Sequence, residues 1–170
     1  MRNRNIAIAL AFVVVAVVLQ SALFGEGRIH IFDTSPNLVL VVVVATVRYL
    51  HPEPALLVGF TAGLLMDLLG GSPLGLWAMA LTVVAFLILR GRDRAGEGPV
   101  MVGAGVFGLT VVAHTLFGVL GTLFGQRFFT DPGVLRLMIV PAAYNLVLAV
   151  VVMPLATRSM RSVGAQRWAA

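Results

Sequence analysis

The chain reads as an all-α integral membrane protein, a bundle of six transmembrane helices forming one domain over residues 1–170. Three observations predict this. Hydrophobic residues make up 59% of the chain and charged residues 11%, with a mean hydropathy of +1.01, which is more apolar surface than a water-soluble globule of this size can hide. The apolar runs are long and continuous, whereas a membrane barrel needs alternating strands of about ten residues; lipid tolerates only these two architectures. The charges fall between the apolar runs, where topology signals belong.

Taken in order, spans are expected at about 6–24, 36–51, 54–69, 74–89, 100–124 and 134–155. The first is apolar except for Gln20 and Ser21 and is long enough for the roughly 20 residues a crossing needs. The leader Met1-Arg2-Asn3-Arg4-Asn5 imitates a signal peptide, but no convincing small-x-small cleavage site follows it, so a retained anchor is expected. Ser35-Pro36 offers an N-cap and a proline at the first helical position of the second span. Pro52 and Pro54, in the turn HPEP, close that helix and suit the first turn of the third, which runs from Pro54 to Leu69 and ends at Gly70-Gly71.

With about 16 residues each, or about 24 Å, the second and third helices fall short of the roughly 30 Å of hydrocarbon. Two crossings are expected over a re-entrant hairpin, because the charge pattern requires them. Ser72-Pro73 opens the fourth span at Leu74, and the hydrophilic stretch 90–99 follows it. The fifth span is rich in glycine, and the sixth contains Pro141, Asn145 and Pro154 before a basic tail, 156–170.

The net charge of +5 arises from twelve arginines and no lysine. They lie at span ends rather than on one polar face, so a nucleic-acid partner is not expected. Six crossings with the N-terminus inside put Arg2, Arg4, Arg48, Arg90, Arg92, Arg94, Arg158, Arg161 and Arg167 in the cytoplasm, and only Arg28, Arg127 and Arg136 outside. This nine-to-three split obeys the positive-inside rule, and removing any one helix would break it.

Function is expected around Asp67. An ionisable group inside a span costs roughly 3 kcal/mol on insertion scales, so it needs a partner or a task. It falls in the last turn of the third helix, where the helix dipole disfavours a negative charge. Arg136 and Arg127, on the same side, are the candidate ion-pair partners, and amides between Gly70 and Gly75 are candidate donors. Gly59 and Gly63 continue in phase to Asp67 as small-xxx-small, a face that suits either ordinary packing within the bundle or a partner helix. Gly121-Gly125 and the 103–108 glycines repeat the pattern on the fifth span.

His114 is expected to be a neutral residue bonded across the bundle, and Arg48 and Glu53 flank HPEP as a weak surface pair. With no cysteine, thiolate chemistry is excluded. No HExxH, Walker loop, paired intramembrane carboxylates or serine with a base occurs, so no catalytic, cofactor or metal site is expected.

The segment GLLMDLLGGSPLGLWAMAL, Gly63 to Leu81, resembles the signature of the rod shape-determining protein MreD family: a helix ending in G-x-x-x-D, a glycine-containing turn, then PLG and another apolar helix. The layout of the whole chain is similar, while the specific motif covers about twenty residues. The resemblance implies a non-catalytic scaffold of the bacterial cell-wall elongation complex, in the cytoplasmic (inner) membrane. Its implied partners are the bitopic MreC protein, the RodA glycosyltransferase with its transpeptidase, and the MreB cytoskeleton. Gly59, Gly63, Asp67, Gly70, Gly71, Pro73, Leu74 and Gly75 would then be the docking residues.

That family is also similar in fold to the S subunits of energy-coupling-factor transporters, so a vitamin- or small-molecule-binding subunit is the alternative. Ala7-x-x-x-Ala11 resembles the small-residue contact motif of those subunits. The loops expected outside, 25–35 and 125–133, hold few groups to build a binding pocket, which favours the scaffold.

Overall fold

The computed structural model describes residues 2–24, 35–92, 98–126, 128 and 133–165. They form six helices: α1 (Arg2–Phe24), α2 (Leu38–Val47), α3 (Pro52–Gly70), α4 (Leu76–Gly91), α5 (Pro99–Leu123) and α6 (Val134–Ala165). Four of them, α1, α3, α5 and α6, are long and apolar enough to cross a membrane, and α2 and α4 are shorter apolar helices. The chain is a helical membrane protein.

Helix direction alternates along the chain. The C-terminal parts of α1, α3 and α5 and the N-terminal parts of α2 and α4 meet around one cleft. At the opposite end, the last turns of α2 and α4 meet the start of α5. There Tyr49 Oη lies 3.0 Å from Thr157 Oγ1, which brings the far part of α6 to the same end. Arg4, Arg48, Arg90, Arg92 and Arg158 therefore belong to the end opposite Asp67, while Arg136 begins α6 at the Asp67 end.

α2 is the centre of the bundle. It packs against each of the other five helices, and nine of its ten residues are buried. Valine dominates it, and valine's stiff, branched side chain lowers helix propensity only slightly, a penalty outweighed where every face is packed.

The helix is shorter than the expected 36–51 because its ends are set by side chains. Asn37, rather than Ser35, is the N-cap, with its Oδ1 accepting the Leu40 amide at 2.9 Å. At the other end, Tyr49 N and Leu50 N donate to Thr46 O and Val47 O, tightening the chain into a turn that the Arg92 guanidinium completes by donating to Leu50 O at 3.2 Å. Ten residues span about 15 Å, half of the roughly 30 Å hydrocarbon layer, so α2 starts and stops inside the protein.

α3 starts two residues earlier than expected, because Pro52 also fits the first turn, where its missing N–H costs nothing. α3 and α4 make the most intimate pair, and glycine is the reason. A Cβ on Gly59 would stand 2.8 Å from Leu81 O and 2.9 Å from Ala85 Cβ, and one on Gly63 would collide with the backbone of Trp77 and Ala78. The Gly59 and Gly63 face is thus consumed inside the bundle and is not free for a partner helix. On α5, Gly121 packs against its own following loop at Gln126, whereas Gly105 and Gly108 face open space.

α6 continues ten residues past the expected end at 155, through both Pro141 and Pro154. Ala156 and Met160 are buried and Thr157 meets Tyr49, so packing holds the helix beyond the end expected at 155. Arg48 and Glu53 do not pair; Arg48 instead lies 5.5 Å from the Tyr49 ring centroid.

Gly63→Leu is expected to destabilise the folded protein by about 2–4 kcal/mol, since backbone cannot yield to the new side chain. Gly105→Ala should stay within about 0.5 kcal/mol of the parent. Thermal unfolding in detergent checks both.

Candidate functional site

The centre of the site is the reversal between α3 and α4. Gly71 (φ 68°) and Gly75 (φ 100°) occupy left-handed conformations on either side of Ser72-Pro73-Leu74. Nothing crowds either glycine, so backbone conformation is what requires them there. Gly75 is also the N-cap of α4, and it has no side chain to cap with.

Asp67, 2% exposed, supplies the missing cap from the neighbouring helix. Its Oδ2 accepts the Gly75 amide at 2.9 Å and the Ala78 amide at 3.2 Å. Oδ1 accepts the Trp77 amide at 3.1 Å and the Ser72 hydroxyl at 2.7 Å. Three otherwise orphan amides of the first turn of α4 are thereby satisfied, and the positive end of that helix faces the acid.

This corrects the expected ion pair. Among the described residues no arginine, Arg136 included, lies within ion-pair distance of Asp67, and Arg127 lies outside them. The compensating charge is the N-terminus of α4 rather than a guanidinium. The expected amide donors between Gly70 and Gly75 reduce to Gly75, joined by Trp77 and Ala78 within the helix.

Around this turn the remaining predicted residues divide by exposure. Gly70, Gly71, Pro73 and Leu74 are exposed, with Leu74 at 68%. Leu68 and Leu69 add to them on the last turn of α3, and Leu57 and Phe60 continue the apolar outer face along that helix. Ala7 and Ala11 are exposed on α1.

A second polar network sits beside the first. The buried Asn37 amide donates to Asn145 Oδ1 at 2.9 Å, and Asn145 Nδ2 donates to Thr110 Oγ1 at 3.1 Å. The Val39 amide donates to Gln20 Oε1 at 3.1 Å. α2, like α4, therefore begins on side chains lent by other helices, here α1 and α6.

Between the two networks lies a cleft of about 380 Å³. Gln20, Ser35, Asn37, Ser72, Trp77 and His114 contribute to its wall. Trp77 stacks on Phe117, with ring centroids 4.6 Å apart, and meets His114 edge-on at 5.4 Å. The expectation of a poorly supplied pocket looked to the loops, whereas helices supply Gln20, Ser21, Trp77, His114 and Phe117 to the wall and the residues just before α2 and α4 supply Ser35, Asn37 and Ser72.

His114 does not hydrogen-bond across the bundle as expected. Its Nδ1–H donates to Thr110 O in its own helix at 2.9 Å, and only its ring contact reaches α4. The clue to the missed residues was present as Gln20, Asn37, Thr110 and Asn145, polar side chains at the edge of or inside apolar runs. Among the described residues, no group of three or more His, Asp or Glu side chains is arranged to hold a metal ion. Comparison of the chain with family models, curated proteins and solved structures finds no match.

Asp67→Asn is expected to cost about 2–4 kcal/mol, because an amide group turns a donor toward donors and loses the charge assistance. Ser72→Ala, which removes one of four donors, should cost about 1 kcal/mol. Urea or thermal unfolding in micelles measures both, and Asn145→Leu should fall in the range of about 1–3 kcal/mol by breaking the second network.

Proposed function

We propose that this protein is a non-catalytic membrane scaffold of the bacterial cell-wall elongation machinery, of the MreD type. In this reading it sits in the cytoplasmic membrane with six crossings and both ends inside. It receives the transmembrane helix and adjoining extracytoplasmic segment of a bitopic MreC-like protein, and through it the RodA-type glycosyltransferase, its transpeptidase and MreB.

The observation that carries the reading is a rigid turn bearing an exposed apolar edge. Asp67 clamps the turn from beneath with four hydrogen bonds, while Leu68, Leu69 and Leu74 stand 61%, 58% and 68% exposed around it. The bonds that cap α4 also hold the turn in one shape, and a preorganised apolar edge suits docking, since preorganisation lowers the entropic cost of association. The resemblance of Gly63 to Leu81 to the MreD signature supports the same reading. The gathering of arginines at the end opposite Asp67 supports the proposed orientation.

The cleft beside the turn favours a second reading, a small-molecule-binding subunit of an S-subunit type transporter. Co-purification separates the two, because a bitopic coiled-coil protein accompanies a scaffold and a pair of ATPases accompanies a transport subunit. A photo-crosslinking residue at Leu74 is expected to capture the bitopic wall-synthesis partner in intact cells. Asp67→Asn should reduce that capture at least fivefold, and full capture by this variant would count against the clamped turn as the docking element.

A further inference from the structure

We propose that the cleft between the α3–α4 turn and the buried start of α2 is a binding site for an uncharged ring compound that presents carbonyl oxygens beside a ring N–H, the class of pyrimidine nucleobases and nucleosides. This goes beyond the scaffold reading and gives the second reading a ligand class.

Several polar groups of the wall have unused hydrogen-bonding capacity, among them the hydroxyls of Ser21 and Ser35 and the indole N–H of Trp77; the side chains of Asn37, Gln20 and His114 favour one ligand chemistry. Asn37 is 4% exposed, and its backbone amide and Oδ1 are both committed, to Asn145 Oδ1 and the Leu40 amide. Its Nδ2 has no partner among the described residues, and the residue lines the cleft. Gln20 is placed in the same way. Its Oε1 accepts the Val39 amide, which assigns the remaining Nε2 as a donor without a partner among the described residues. His114 gives its Nδ1–H to a carbonyl, so the neutral ring turns a lone pair on Nε2 to the ligand.

The two amide donors and the ring acceptor suit two carbonyl oxygens and one N–H, while the Ser21, Ser35 and Ser72 hydroxyls and the Trp77 N–H remain to meet further polar groups such as sugar hydroxyls. Leaving a buried amide donor unmet costs about 1–3 kcal/mol, so the site selects against compounds that lack those groups.

The cleft also defines charge and shape. Among the described residues its wall contains no ionised side chain. Asp67, just behind it, spends both oxygens on four donors, and Ser72 turns its hydroxyl hydrogen to that acid, keeping only lone pairs for a ligand. An anion or cation would enter uncompensated, so a neutral compound is preferred. Trp77 and Phe117 offer the aromatic surface on which a flat ring rests. About 380 Å³ lies within the range of small-molecule sites and accommodates a nucleoside.

The test is equilibrium dialysis of radiolabelled thymidine against the full-length protein in nanodiscs. Saturable binding is expected, with competition at least tenfold weaker from N3-methylthymidine, which lacks the N–H, and from thymidine 5′-monophosphate, which carries charge. Asn37→Ser keeps an N-cap oxygen while removing the amide donor, and His114→Phe keeps a ring against Trp77 while removing the acceptor. Each should weaken thymidine at least tenfold with its melting temperature retained.

No saturable binding to folded wild-type protein would overturn the proposal. So would equal binding of N3-methylthymidine, or unchanged binding by both variants. No wall-synthesis partner is present, so failure here leaves partner capture at Leu74 unaffected, and failure of that capture leaves this result standing.

Discussion

A backbone amide buried in a membrane bundle has no water to bond with, and this constraint organises the whole molecule. Two helices, α2 and α4, begin within it, and each would expose the unpaired amides of a first helical turn. α4 starts at a glycine that has no side chain to cap with, so Asp67 does the work from α3, taking three amides and one hydroxyl on two oxygens. The same carboxylate couples the tail of one helix to the head of the next. Its placement at the negative end of α3 is tolerable because the positive end of α4 lies against it.

α2 meets the same constraint with neutral groups. Asn37 caps its own helix, Gln20 reaches across from α1, and Asn145 receives the Asn37 amide while donating to Thr110. Because each of these residues belongs to a different helix, the network ties four elements together around the shortest one. Such polar contacts in membranes are worth only about 0.6 kcal/mol on average when removed pairwise, so their greater consequence is geometric. They hold the start of α2 at one depth, and the space left between that start and the clamped turn is the cleft.

Both devices rest on close helix contact, which glycine supplies. Gly59 and Gly63 let α3 approach α4 until side chain meets backbone, which aligns Asp67 with the amides of the next helix. A small-residue motif suits a partner helix and a neighbouring helix equally well, because both uses require the same absence of side chain. For that reason these two glycines, expected at a docking surface, are instead taken up by packing against α4. The expected arginine partner failed on a related point: sequence spacing reveals which residues carry formal charge, whereas the charge that mattered was the dipole of a helix end.

Composition and the placement of charge by themselves determined that this is a helical membrane protein, that six helices form among the described residues, and that Asp67 with its glycine turn is the centre of interest. These follow from local chemistry, since a run of apolar residues must be helical in lipid whatever surrounds it. Only the tertiary structure decided the true length of α2, the continuation of α6 past Pro154, the partners of Asp67 and the existence of the cleft. Each of these depends on which groups distant in the chain arrive within hydrogen-bonding reach. Residues 37 and 145, which settle where α2 begins, are separated by 108 positions, and only packing could bring them together.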